Sequence, residues 1–503
     1  MKKISLSFLL LLSVISSCTD LEIAPNSKLT ESSAYKTKGE FLNGLAGIYG
    51  YLDVWLECVY KFGGSTDEMI FPDRRGDWHG GLQSLFSHTW TKDNDEIKER
   101  YKGMSILIAN ANSFIDVIDA SALKDDADIK IIRTETRFLR AFGYFLMIDN
   151  YGNVPIITTA KYDPNNLPKQ STRAEVFNYI ESELKDAANI LPETSVYGRV
   201  SKYTAKALLA KLYLNAEVYL GPGKAKWAEA ATLTSEIIGK QYILEPNFKD
   251  VFKWNNDVTS KESLFVVVCD SYKTRTQNMS LRFSLTNLSA KYGPAAEGWG
   301  GAATLPTFYR SYEAGDIRLD AFLAGPQVDA NGKSIMQFDP EGNPATLVQL
   351  NYAVDFLSPN PVTNARHWDG ARGVKYAMDG VGGEISYFIN NDLPIIRYAD
   401  ILLMRAEALF RQTPGSVEAL ALVNQIRVRA KVAPFTTLTN ANLLAERGRE
   451  FAWEGWRRND LIRFGKYNDA WDYKQASQPF RTLFPIPQEQ IDANPNLKQN
   501  PGY

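Results

Sequence analysis

Hydrophobic residues recur at helical spacing through most of the first half of the chain. Phe41, Leu45, Ile48, Tyr49, Leu52 and Leu56 share one stripe over residues 40–60. Helices are predicted next at 97–120 and 131–151, the second stopped by Gly152 and Pro155. Residues 172–191 open with Thr172 as a candidate cap and Glu175 three positions on, the spacing of a capping box. Residues 201–220 are rich in Ala and Leu and turn through Gly221-Pro222-Gly223 into a helix over 225–239. Small side chains at Ala205, Ala207, Ala210 and Ala216 let such a pair pack closely. A second pair runs over 398–410 and 416–432, with Gly415 at the turn. Both pairs have the size of tetratricopeptide-type (TPR-like) hairpins, although the full repeat signature is absent. Plain antiparallel helix packing has the same periodicity and is the alternative.

Two stretches break this pattern. Residues 63–90 hold five Gly and one Pro, which argues against a regular helix. Residues 260–394 mix a short strand, LFVVV at 264–268, with Gly-rich turns, and Asp329-Ala330-Asn331-Gly332 reads as the tight turn of a hairpin. Long irregular loops on a rigid scaffold usually carry function, so the binding surface is placed there.

Residues 446–465, ERGREFAWEGWRRNDLIRFG, read as one helix. In it Glu454 and Arg458, Arg449 and Trp453, and Trp453 and Arg457 stand four apart and share faces. Gly455 leaves room for another backbone to approach. Such a density of Arg, Glu and Trp favours a half-buried ion-pair network over a ligand site, because buried charges need partners. Pro485, Pro487, Pro495 and Pro501 predict an extended tail within 466–503.

The first residues change the picture of where the protein works. Lys2 and Lys3 precede a short apolar run, Leu6 to Ile15, that reads as a secretory signal over residues 1–17. Ile15-Ser16-Ser17-Cys18 looks like a bacterial lipobox, which makes Cys18 a lipidated (palmitate-bearing) first residue and 18–39 its tether. The alternative, an ordinary signal before an incidental Cys, fits less well, since Cys18 directly follows the apolar core. Losing Lys2 and Lys3 moves the formal net charge from −2 to −4, still near neutral for so long a chain. That balance, without a basic run, argues against nucleic acid as a partner. Cys58 and Cys269 are expected as buried free thiols.

Motifs for catalysis or cofactors are missing. His79, His88 and His367 fit no metal-ligand spacing. Gly221 to Lys224 lacks the spacing of a phosphate loop, and the turn from Asp329 has Pro340 where a calcium loop needs Glu. No GxSxG occurs, so neither cofactor nor catalysis is expected, although a glycosidase needs only two carboxylates. Sugar rings offer apolar C–H faces for aromatic stacking and hydroxyls for planar polar groups. Three loops combine these: Asp73 to Gly80 with Arg74, Arg75, Asp77 and Trp78; Tyr292 to Gly301 with Trp299; and Asn364 to Asp369 with Trp368. The glycan-binding candidates are Trp299, Tyr292, Trp78, Trp368, Asp77 and Arg75. A buried indole with a satisfied N–H is the bland alternative for each Trp. Arg74, Arg75 and Asp77 read first as solvated or paired with one another, and Trp227, Trp453 and Trp456 as core.

The charged stretch at 446–465, the LFPIP turn and the closing NPNLKQNPGY closely resemble the SusD/RagB family. RTETRFLRAFGYFLMIDNYGNVPII, LPTFYRSYEAGDIRLDAFL, NDLPIIRYADILLMRAEAL and NQIRVRA match it in order. The resemblance covers nearly the whole mature chain. It implies a mostly α, SusD-like fold in one domain over 40–503. A TPR-like helical hairpin scaffold would span mainly 40–60, 97–260 and 395–465. An irregular, loop-rich ligand lobe with short β-hairpins would span 61–96 and 261–394. The same resemblance implies a surface lipoprotein of the outer membrane, anchored through Cys18. It would sit as a lid over a SusC-like TonB-dependent transporter and deliver oligo- or polysaccharide without covalent chemistry. Glycan-stacking aromatics of the family come from comparable loops, which points to Trp299 and Tyr292 first and Trp78 next. Peptide capture, as in the RagB branch, is the alternative within the fold. A surface glycoside hydrolase, marked by two carboxylates facing across a cleft, is the alternative from another class.

Overall fold

The computed structural model describes residues 35–503 except 75–79, 162, 164, 272, 275–290, 292–298, 340 and 377–387. Eight helices carry the scaffold: α1 (Lys38–Gly50), α2 (Asp95–Ala120), α3 (Ala127–Asn150), α4 (Arg173–Ile190), α5 (Lys202–Leu214), α6 (Trp227–Ile237), α7 (Tyr398–Gln412) and α8 (Val417–Arg429). From α2 onwards each packs on the next, and α7 settles on α6 although more than 150 residues separate them. This serial stacking is the solenoid logic read from the two hairpins. The predicted capping box forms: the Thr172 side chain accepts from Glu175 N, and Glu175 returns the bond to the Thr172 backbone. Helix α3 is buried on almost every side, with Phe138, Leu139, Phe142 and Phe145 fully inside. At Gly143 a Cβ would stand 2.9 Å from Ile108, so glycine sets how closely α2 and α3 approach.

The lobe between α6 and α7 is held by short antiparallel pairs. Ser263–Val267 forms the expected strand, and its partner is Leu393–Arg397, which the sequence reading missed. The turn at Asp329 closes a hairpin: Asp329 N donates to Lys333 O at 2.8 Å, while its carboxylate accepts from Asn331 N and Lys333 N. Cys58 and Cys269 are buried and free.

Three expectations need correction. The stretch 446–465 is two helices, Asn440–Glu450 and Arg457–Arg463, parted by a turn. Trp453 (φ +59°) and Gly455 (φ +87°) take left-handed backbone there. Tertiary partners pull the turn open. The Trp453 ring lies over Gly373, where a Cβ would stand 2.0 Å from it. Glu454 accepts from Arg397 Nε at 2.8 Å instead of pairing with Arg458, which reaches Asp149 at 3.4 Å. Arg457 forks onto Asp67 at 2.6 Å. Gly455 does admit a neighbour: a Cβ would stand 3.3 Å from Val59 N. The ion-pair network itself is deeper than half-buried, with Arg318, Glu446 and Glu450 at zero exposure. Trp453 and Trp456 lie in the core as expected, and Trp227 is half-buried under Arg411.

The tail is the second correction. Between Pro487 and Pro495 it turns a short helix, Gln488–Ala493, because Pro487 caps it with its carbonyl, accepting from Gln490 N at 3.0 Å without needing an N–H, and Pro495 lies beyond its end. Third, Gly81–Ser87 forms a helix inside the Gly-rich stretch, its glycines serving only the start.

Glu68 lies fully buried beneath the 451–456 turn and accepts from Trp453 N at 3.2 Å. Burial pushes its carboxyl up to about 8, against the pull of that N–H and of Arg457. The folded state therefore keeps a proton that the unfolded chain, near 4.5, releases. Stability contributed by this proton is present at low pH and is lost as pH rises from 4.5 through 8. Glu68→Gln removes the ionisation. Its melting temperature, relative to that of the parent, is expected to rise steadily between pH 5 and 9. Parallel melting curves for the two proteins would assign the proton elsewhere.

Candidate functional site

The three nominated loops spring from one small sheet. Met69–Ile70 pairs with Ala303–Thr304, and Thr304 N donates to Ala371 O at 2.9 Å on the other side. Residues 69–74, 299–304 and 369–371 therefore converge. Arg74 locks them. It is 4% exposed, and its Nη1 donates to the carbonyls of Gly300 and Gly301, the latter at 2.8 Å. Its Nη2 donates to Asp369 O at 3.1 Å. The expectation that Arg74 would be solvated is overturned by its burial, and a planar fork of donors suits the three converging carbonyls. Backbone bonds reinforce the junction, from Ala365 N to Asp73 O (2.7 Å) and from Asp73 N to Pro361 O (3.1 Å).

Asp369 is the second organiser. Its carboxylate accepts from Leu357 N at 2.9 Å, Arg366 N at 3.0 Å and Ser358 N at 3.3 Å. Arg372 backs the same loop, donating to Asp369 O and Gly370 O from beneath, with its guanidinium 5.3 Å over the Tyr352 ring. Burial lowers the Arg372 pKa to about 10, so it stays charged at neutral pH. Neither role was read from the sequence. The available signal was an Arg and an Asp inside loops otherwise rich in Gly.

On this base Trp299 stands 42% exposed and Trp368 half-buried. The Trp368 indole N–H is buried without a hydrogen-bond partner. The structure thus brings the two Trp-bearing loops together and leaves an indole at the surface. Tyr292, Trp78, Asp77 and Arg75 lie outside the described residues, as does Cys18. Residues 74, 80, 291 and 299, which flank the first four, are described. Among the described residues no group of three or more His, Cys, Asp or Glu could hold a metal ion. An exposed indole on a braced loop can stack on a flat apolar face while its N–H donates to a polar group.

Comparison with known proteins fits this architecture. A family model described as "SusD family" matches residues 261–503, and one described as "Starch-binding associating with outer membrane" matches residues 74–214. The chain is 28% identical over 545 aligned positions to the starch-binding protein SusD of Bacteroides thetaiotaomicron, covering 97% of this chain and 96% of that one. It is 26% identical to SusD-like protein P2 of Formosa agariphila, covering both chains completely. Among solved structures, a laminarin-binding SusD-like protein superposes with a TM-score of 0.75 at 23% identity, over 93% of this chain and 100% of that one. Surface glycan-binding protein A of Bacteroides thetaiotaomicron, in complex with laminarihexaose, gives 0.72 at 22% identity, over 92% and 99%. Two family models in sequence order, relatives aligned from end to end and the shared helical scaffold together make this chain a member of the SusD family.

Proposed function

We propose that the protein captures oligo- or polysaccharide at the outer surface of the outer membrane and passes it to a SusC-like TonB-dependent transporter. It does so without covalent chemistry, held to the membrane by a lipid on Cys18. Trp299 and Trp368 form the stacking surface, completed by Tyr292, Trp78, Asp77 and Arg75 from the adjoining stretches. The observation that carries this reading is Arg74: one buried guanidinium fastens the carbonyls of Gly300, Gly301 and Asp369, and so fixes an exposed indole on a rigid base. A preset aromatic face loses little entropy on binding, which suits a weak ligand such as a sugar ring. Relatives named for starch and laminarin support glucose polymers as first probes.

The test uses a soluble form beginning at Thr19, run by affinity electrophoresis through gels holding amylopectin, laminarin or other polysaccharides. The parent is expected to be retarded by one class. Trp299→Ala is expected to weaken that interaction roughly tenfold while melting as the parent does, since one stacked ring contributes about 1–1.5 kcal/mol. Free migration of the parent through every glycan would overturn the reading. Unchanged retardation of the variant would move the surface elsewhere.

A further inference from the structure

Beyond Trp299 and Trp368, we propose that Tyr473, together with the Arg310–Asp355 pair, forms an additional sugar-ring subsite that lengthens the platform. This rests on the glycan-binding reading above. Tyr473 sits at the corner of a tight turn: Trp471 N donates to Lys474 O at 3.1 Å, and Lys474 N to Trp471 O at 2.9 Å. Its φ is +63°, left-handed backbone that Gly or Asn ordinarily supplies in such turns. A bulky residue there is a genuine outlier, and strain of this kind collects at ligand-binding positions.

The side chain kept at that cost is positioned for stacking. Its ring lies on Phe356, centroids 5.4 Å apart and planes within 16°. Phe356 is buried, whereas Tyr473 keeps 39% exposure. One face of the phenol is therefore backed and fixed. Phe356 in turn ties the ring to the platform. A Cβ on Gly370 would stand 2.2 Å from the Phe356 ring and 2.5 Å from Ala303, so Phe356 abuts the loop that carries Trp368 and Asp369. The turn is also clamped to the segment that follows Trp299, because the Asp472 carboxylate accepts from Thr307 N and Thr307 Oγ1, both at 2.6 Å.

Polar partners of the kind sugar hydroxyls need stand beside it. Arg310 and Asp355 form an ion pair whose side chains remain 53% and 66% exposed. Such a surface pair contributes little to stability, which leaves its planar groups available for hydroxyls. Burial and the neighbouring carboxylates of Asp472, Asp355 and Asp369 raise the Tyr473 hydroxyl above its ordinary pKa, so it stays a neutral donor.

The experiment separates this subsite from the main one by ligand length. Titration calorimetry compares laminaritriose with laminarihexaose, or maltotriose with maltohexaose, according to which polymer retards the parent. Tyr473→Gly relieves the backbone strain, which offsets the lost Phe356 contact, and should melt close to the parental temperature. It is expected to bind the hexasaccharide about tenfold more weakly and the trisaccharide unchanged. Tyr473→Asn, which tolerates the same backbone, should behave alike. Trp299→Ala should weaken both lengths. Parental affinity for the hexasaccharide in both Tyr473 variants, or an equal loss at both lengths, would overturn the subsite while leaving the main reading intact. Failure of the parent to be retarded by any polysaccharide, or to bind any oligosaccharide cut from one, would overturn both.

Discussion

Glu450→Ala is expected to destabilise the protein by about 3–5 kcal/mol, the usual cost of removing one partner from a buried ion network. Glu450 has no exposed surface. Its carboxylate accepts from Arg397 at 2.6 Å, from Arg429, and from Arg318 at 3.2 Å. Around it Arg318, Arg397, Arg427, Arg429, Arg449 and Lys375 face Asp316, Glu262, Glu313, Glu446, Glu450 and Glu454. Six cations meet six anions, so deleting one carboxylate leaves a net buried charge. Burial alone would push the Glu450 carboxyl up, but Arg429, Arg397 and Arg318 outweigh it and hold it well below the usual range. Because the folded value is depressed, the contribution is present above the unfolded carboxylate range near pH 4.5 and is lost as pH falls towards the folded value. Urea unfolding followed by circular dichroism measures the change as a lower midpoint at an unchanged slope. A loss below about 1 kcal/mol would mean that water screens the network far better than its burial implies.

That network also shows where sequence reasoning stopped. The helices α1 to α8 were readable because their signals are local: the Phe41-to-Leu56 stripe, the Thr172–Glu175 box, the glycines at 221, 223 and 415. The break at 451–456 was not, since it is imposed by Gly373, Lys375 and Arg397, which are remote in sequence from Trp453 and Glu454. The same holds for Leu393–Arg397. Its apolar run merges into that of α7, and only the strand at Ser263–Val267 settles its conformation. For the site, loop composition nominated three segments. That they meet depends on which carbonyls the Arg74 guanidinium reaches, and no periodicity encodes that choice. Tyr473 escaped notice because a left-handed residue that is not Gly leaves no compositional mark.

Arg74→Met tests that convergence directly, and it is expected to weaken polysaccharide retention as far as Trp299→Ala does while the helical scaffold stays folded. Methionine keeps much of the aliphatic volume and removes every donor. The carbonyls of Gly300, Gly301 and Asp369 each lose a charge-assisted bond. A buried acceptor left unpaired costs about 1–3 kcal/mol. Asp369 O keeps the Arg372 bond at 2.7 Å, so the loss falls mainly on the loop that carries Trp299. That loop can recover by turning its carbonyls to water, which releases the indole from its fixed orientation. If the aligned indole then drops to a minor fraction of the population, its contribution fades and apparent affinity falls towards the roughly tenfold loss expected for Trp299→Ala. Arg74→Lys should fall between the parent and the methionine variant, because a single ammonium cannot span the carbonyls of both loops as a planar fork does. Affinity electrophoresis in the retarding polysaccharide, beside far-ultraviolet melting of each variant, reads both effects. Parental retention by Arg74→Met would show that Trp299 is held in place without the guanidinium, and the rigid base beneath the platform would have to be sought in the backbone pairing of Met69–Ile70 with Ala303–Thr304.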